Sequence, residues 1–138
     1  MSQTEMRVVP VARVESALTD RGQAPRQGDE GAPDAWLVFE PAMAGGIAGL
    51  TAGAELIVLT WLDQSDRTVL AVHPRGDASR PEVGVFSTRS PDRPNPIGLH
   101  RVTVRETAGL RIRVGPLEAL DGTPVLDIKP VLDPVAER

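Results

Sequence analysis

Two arginines set among prolines are the residues of this chain best placed to do chemistry. Residues 83–104 read VGVFSTRSPDRPNPIGLHRVTV, with Arg89 and Arg93 between one apolar run (Val83, Val85, Phe86) and another (Ile97, Leu99, Val102, Val104). A guanidinium presents a planar fork of donors suited to carboxylate, phosphate or a base edge. Pro91, Pro94 and Pro96 fix their own φ and push Ser90, Arg93 and Asn95 toward extended backbone, so no helix can run through residues 89–96. A loop stiffened in this way loses little entropy when it orders around a ligand. Its proline density exceeds what a chain reversal needs, and it reads as a binding loop. Arg89 directly follows the run 84–88, which reads as a strand, and is expected to be better fixed than Arg93, which lies among prolines.

Other chemistries find little support. The chain has no cysteine, which removes disulfides, thiol nucleophiles and thiolate zinc sites. His73 and His100 stand outside any ligand spacing, so each reads as an ordinary strand-end residue and no metal site is expected. Ser87 and Ser90 lack the G-x-S-x-G frame of a hydrolase, and neither a phosphate-binding P-loop nor a glycine-rich βαβ unit is present. The net charge of −4 argues against a general nucleic-acid binder. Its distribution is uneven, however: residues 75–113 hold eight arginines against four acidic residues, a local excess of +4.

Beyond what these residues show alone, residues 84–98 (GVFSTRSPDRPNPIG) closely resemble the signature of the TsaA-like family, whose members include the TrmO-type tRNA methyltransferases. Residues 117–130 (LEALDGTPVLDIKP) are similar to the family's second signature, and Pro25-Arg26-Gln27 resembles its PRQ motif. The likeness runs from about residue 8 to 130 and is weakest over 21–34. It implies S-adenosylmethionine as cofactor, held by Pro25, Arg26 and Gln27, by Asp63 and Gln64, by Arg89 and Leu99, and by Asp121, Gly122, Thr123 and Pro124. It also implies a methyltransferase acting on N6 of threonylcarbamoyladenosine beside a tRNA anticodon. Arg75, Arg80, Arg93 and Asn95 are then candidates for contact with that anticodon loop, and a cytoplasmic homodimer is expected. Two departures stand out. Asp63 occupies a position where the family typically has histidine, and the chain stops soon after Pro130, where the TrmO-type enzymes carry a further C-terminal region. The alternatives are the same cofactor with a small-molecule or different RNA acceptor, and a non-enzymatic cofactor-binding module.

The elements that must position these groups are short strands. A length of 138 residues suits one domain, with a core over about 6–132 built mainly from Val, Leu, Ile and Ala because only four aromatics are present. No apolar run reaches membrane-spanning length. Strands are expected over 6–14, with Pro10 at an edge or bulge, and over 35–40, 55–62, 68–73 and 110–114. The run 55–62 (ELIVLTWL) is nearly continuous apolar, which predicts a strand covered on both faces. Ile47 and Leu50, three apart, allow one helical turn. Apolar positions are odd at Ile97 and Leu99 but even at Val102 and Val104, and this parity change predicts a β-bulge near His100–Arg101. Asp121-Gly122 is a hairpin signal, and Asp127 and Lys129 share a face opposite Leu126 and Ile128. Seven or eight short strands without a long helix argue for an all-β fold, a small closed or nearly closed antiparallel barrel with long loops. The resemblance implies the same fold.

Overall fold

The computed structural model describes residues 4–22, 25 and 31–132. Six strands close into a barrel: β1 (Ala12–Glu15), β2 (Ala35–Phe39), β3 (Glu55–Trp61), β6 (Ile97–Ala108), β7 (Arg111–Gly115) and β8 (Pro124–Pro130). The order around the barrel is β1-β2-β7-β6-β3-β8, and every pairing is antiparallel. Closure removes the exposed edges that such short strands would otherwise present.

The interior is filled by alternate residues, as the period of two requires. Leu37, Leu56, Val58, Val104, Ile112, Val114 and Val125 are all essentially inaccessible. Leu117 and Ala119, on the irregular segment after β7, complete this core. A run of 3-10 turns at Pro41–Ile47 crosses one end, where Met43, Ile47 and Leu50 pack against the core. Two apolar clefts of about 450 and 320 Å³ flank this run. The expected turn around Ile47 and Leu50 is therefore present.

Between β3 and β6 the chain leaves the barrel. Only β4 (Ala71–Val72) and β5 (Val83–Gly84) pair there, as a separate two-stranded ribbon. The strand expected over 68–73 shrinks to these two residues, and the run 84–88 becomes a 3-10 turn at Val85–Ser87.

Three further expectations are corrected. Residues 6–9 are not strand; Met6, Val8 and Val9 are exposed, and β1 begins beyond Pro10. Strand β3 is covered on one face only: Leu56, Val58 and Thr60 are buried, whereas Ile57, Leu59 and Trp61 are half-buried on the outside. No bulge lies at His100–Arg101, because Gly98, His100, Val102 and Val104 share one inward phase and Ile97 and Leu99 simply face outward, each 46% exposed. The register shift falls instead between Val104 and Glu106, where β6 meets β7. Asp127 and Lys129 do share the outer face of β8 and form an ion pair at 3.4 Å. Asp121-Gly122 makes a tight turn, with Gly122 at a φ of 84° that glycine adopts without strain. It is not a β7–β8 hairpin, since those strands are not neighbours.

Candidate functional site at one end of the barrel

Antiparallel order decides where the signature segments go. β1, β3 and β7 run toward one end of the barrel, and β2, β6 and β8 run away from it. The β1–β2 connection, the exit of β3, the entry of β6 and the entry of β8 must therefore meet at that end. Pro25, half-buried, lies in the first of these; Arg26 and Gln27 lie outside the described residues. Asp63 and Gln64 follow β3, Arg89 precedes β6, and Asp121, Gly122 and Thr123 precede Pro124 at the start of β8.

Hydrogen bonds tie these segments together. The Leu62 N–H donates to the Pro96 carbonyl at 2.8 Å, joining the exit of β3 to the signature loop. Arg21 reaches from the β1–β2 connection, donating through Nη1 to the Gln64 carbonyl (3.2 Å) and through Nη2 to Asp92 Oδ1 (3.3 Å). Asp92 Oδ1 also accepts the Asp66 N–H at 2.8 Å. Across the barrel mouth, Asp121 Oδ1 accepts the Ser16 N–H at 3.0 Å, and the Asp121 and Gly122 N–H groups donate to the carbonyls of Leu18 and Val14, each at 2.7 Å. The second signature is thereby fastened to β1.

Within the loop the two arginines behave differently. Arg93 donates through Nη1 to the carbonyls of Thr88 (3.0 Å) and Ser90 (3.1 Å), and through Nη2 to that of Val85 (3.0 Å). It is the fixed member of the pair, which corrects the expectation that Arg89 would be. Arg89 is exposed, and among the described residues its guanidinium has no hydrogen bond or ion pair. The physical reason is the supply of acceptors: the half-buried Arg93 reaches the carbonyls of Val85, Thr88 and Ser90, and covered backbone groups need partners. Asn95 is also engaged, its Oδ1 accepting Arg67 Nη2 at 3.0 Å while Arg67 Nε donates to the Pro94 carbonyl at 2.7 Å. The Arg67 guanidinium lies 5.1 Å from the Trp61 ring centroid.

Leu99 sits on the outer face of β6 opposite Leu59, away from the barrel interior. Arg75 and Arg80 belong to the ribbon that projects between β3 and β6. Arg80 lies 3.7 Å from Asp77 Oδ2, and its carbonyl is 2.8 Å from His73 Nδ1, so its contacts stay within that ribbon. Thr68 holds the Asp66 carboxyl below the usual carboxylate range, first through its hydroxyl and then through its N–H. Ser79 does the same for Asp77.

One group was not foreseen. His100 is 5% exposed inside the barrel, with Nε2 2.7 Å from Thr60 Oγ1 and Nδ1 2.5 Å from Glu118 Oε1. A carboxylate can only accept, so the imidazole donates from Nδ1, and in the neutral ring Nε2 accepts the Thr60 hydroxyl. This chain links β3, β6 and the segment leading to Asp121, beneath the end where the signatures meet. Gly98 is required above it, because a Cβ there would stand 2.4 Å from Thr60 Oγ1 and 2.7 Å from His100 Nε2. His100 is thus a core residue rather than a strand-end one. The sequence signal was its shared parity with Val102 and Val104, which outward-facing Ile97 and Leu99 disguised.

Among the described residues no three His, Asp or Glu side chains are grouped to hold a metal ion. Among the described residues, the end of the barrel offers the guanidinium of Arg89 without a partner, exposed carboxylates at Asp63 and Asp121, and backbone groups at the glycine turn. That donor set suits a zwitterionic ligand, one carrying both a carboxylate and a cationic centre.

A closed six-stranded antiparallel barrel of this order defines an all-β fold, with the candidate residues opening at one mouth. Residues 13–135 match the tRNA-methyltransferase O N-terminal domain, and the chain belongs to that family. It is 42% identical over 135 residues to a "Probable S-adenosyl-L-methionine-binding protein" of Methanothermobacter thermautotrophicus, covering 98% of this chain and 96% of the other. It is 50% identical over 62 residues to a tRNA (adenine(37)-N6)-methyltransferase of Eikenella corrodens, covering 43% of this chain and 35% of that one. The crystal structure of TrmO from Pseudomonas aeruginosa superposes with a TM-score of 0.76 at 28% identity, over 99% of this chain. This chain spans 61% of the length of that TrmO chain.

Proposed function

We infer that this protein is an S-adenosylmethionine-dependent methyltransferase that modifies N6 of an adenine in tRNA, and that the adenine carries a threonylcarbamoyl group beside the anticodon. The observation that supports this most is that the segments holding Pro25, Asp63, Arg89 and Asp121 open at one barrel end, where Arg21, Leu62 and Asp121 bond neighbouring segments together. The names of the relatives, one a binding protein for this cofactor and one an adenine-N6 tRNA methyltransferase, supply the chemistry. When bound, the cofactor supplies a methyl group on a sulfonium leaving group. The unpaired guanidinium of Arg89 suits its carboxylate, the Asp63 and Asp121 carboxylates suit the cationic centre, and the N–H and carbonyl groups of residues 121–124 suit an adenine edge. Pro25, Arg26, Gln27 and Gln64 complete this assignment, and Leu99 meets the cofactor from the outer face of β6. The protein's own work is alignment of the two reactants, the contribution such a transfer demands most.

We assign this work to a single domain with its core over about residues 6–132, acting in the cytoplasm as a homodimer. The outer face of β3 and β6 carries Leu59, Trp61, Ile97 and Leu99 as adjacent apolar residues, a strip suited to a second copy. Labelled methyl from the cofactor should appear in bulk tRNA and fail to appear in tRNA lacking threonylcarbamoyl groups. Cofactor binding without transfer to any tRNA would point to another acceptor, and no cofactor binding at millimolar concentration would end the enzymatic reading.

A further inference from the structure

Of the four aromatic residues, one is buried and two are half-buried beneath a guanidinium. Phe39 is in the core, Trp36 lies 4.7 Å below the Arg111 guanidinium, and Trp61 lies 5.1 Å below that of Arg67. Phe86 differs: it is 80% exposed. Leaving a phenyl ring in water forgoes the favourable transfer that burial would return, so its position calls for a physical reason.

The ring stands on a rigid base. It sits in the middle of the 3-10 turn Val85–Ser87, and Val85 is 1% exposed and anchors that turn to the interior. The Val85 carbonyl, one peptide before the phenyl, accepts three donors: the Thr88 N–H at 3.0 Å, Thr88 Oγ1 at 2.9 Å and Arg93 Nη2 at 3.0 Å. The Arg93 guanidinium lies 6.0 Å from the ring centroid, a cation facing the π system. The phenyl is thus presented already ordered, with a guanidinium behind it and solvent before it. The exposed, unpaired Arg89 follows three residues on.

We propose that Phe86 is a stacking platform for one unpaired base of a single-stranded RNA segment. An aromatic face beside guanidinium groups is the combination that binds single strands: the ring takes a base and the cations take the neighbouring phosphates. Arg89, exposed and with no hydrogen bond or ion pair among the described residues, is the cation placed to take a neighbouring phosphate. A rigid ring also loses little entropy on contact. The inference rests on the reading of the protein as an RNA-modifying enzyme and adds the residue that grips the acceptor outside the reacting centre.

The test measures affinity for a fluorescently labelled anticodon stem-loop RNA across a salt series, with cofactor affinity, thermal midpoint and sedimentation measured in parallel. Phe86→Leu keeps apolar bulk but removes the π face and should weaken RNA binding about 5- to 100-fold. The slope of affinity against salt should stay unchanged, because no phosphate contact is lost. Phe86→Trp should bind at least as well as the parent, and cofactor affinity and thermal midpoint should not move in either variant. Equal RNA affinity of Phe86→Leu and the parent would overturn the proposal. So would loss of cofactor binding, which would give the ring to the cofactor's adenine, or dissociation to monomers, which would give it to a second copy. If the unmodified protein binds no RNA at any salt, the underlying RNA-enzyme reading fails first, and its cofactor titration shows whether cofactor binding survives that failure.

Discussion

At the scale of single residues, Arg89 and Arg93 divide the labour of the signature loop. Arg93 donates to three loop carbonyls, whereas Arg89 has no hydrogen bond or ion pair among the described residues. Arg93→Ala should therefore lower stability by about 1–3 kcal/mol by removing the donor to the Thr88 and Ser90 carbonyls, the Val85 carbonyl keeping its two Thr88 donors, visible as a lower thermal midpoint. Arg89→Ala should leave the midpoint unchanged and weaken cofactor binding by roughly 1.5–3 kcal/mol, one to two decades, measured by titration calorimetry. The reverse pattern would remove Arg89 from the site. The Thr60–His100–Glu118 chain makes a second residue-scale prediction. His100→Leu strands a hydroxyl and a carboxylate and should cost about 2–3 kcal/mol. Gly98→Ala should produce a similar loss, because its Cβ would occupy the space of the Thr60–His100 contact. Urea titration of the two single variants and the double variant checks this, and the double should fall short of additivity because both substitutions break one network.

At the scale of elements, much of the barrel was legible because its strands obey period two. Leu110, Ile112 and Val114 alternating with Arg111 and Arg113 marked β7, and Asp127 with Lys129 marked the outer face of β8. Parity misled at β6, where Ile97 and Leu99 are apolar yet face outward, so an imagined bulge hid the buried His100. Alternation reports which face is apolar, and a strand with apolar groups on both faces cannot say which one is the core. The signature loop was legible as rigid from its prolines, but which arginine it immobilised depended on carbonyl directions that no pattern of residue types encodes. The neighbouring turn permits a pH test. Thr68 lowers the Asp66 carboxyl, so the ionised form is the one the folded turn favours. The sign follows: the contribution is complete above the ordinary carboxylate range, near pH 4, and is lost only as pH falls through the lowered value. Amide resonances of residues 66 and 68 should thus hold their positions from pH 7 to about 4 and move only in stronger acid, whereas Asp66→Asn should displace them already at pH 7.

At the scale of the whole molecule, an acidic chain with a local basic excess suits selective contact with RNA better than general affinity for it. Arg75 and Arg80, on the ribbon between β3 and β6, are the candidates for phosphate contact farthest in sequence from the cofactor segments. Reversing both to glutamate should weaken tRNA binding and flatten its dependence on salt by about 1–2 units of slope, with cofactor affinity unchanged, in fluorescence anisotropy across a salt series. The central claim is that the sequence signatures form one cofactor site because antiparallel closure brings their segments to one end of the barrel. Amide hydrogen exchange with and without S-adenosylmethionine tests it most directly. The account predicts added protection in the signature loop 88–99, at residues 62–64 and at residues 121–124, with no change in the 3-10 run Pro41–Ile47 at the opposite end. Protection confined to that opposite end, or absent from the signature loop at saturating cofactor, would contradict it.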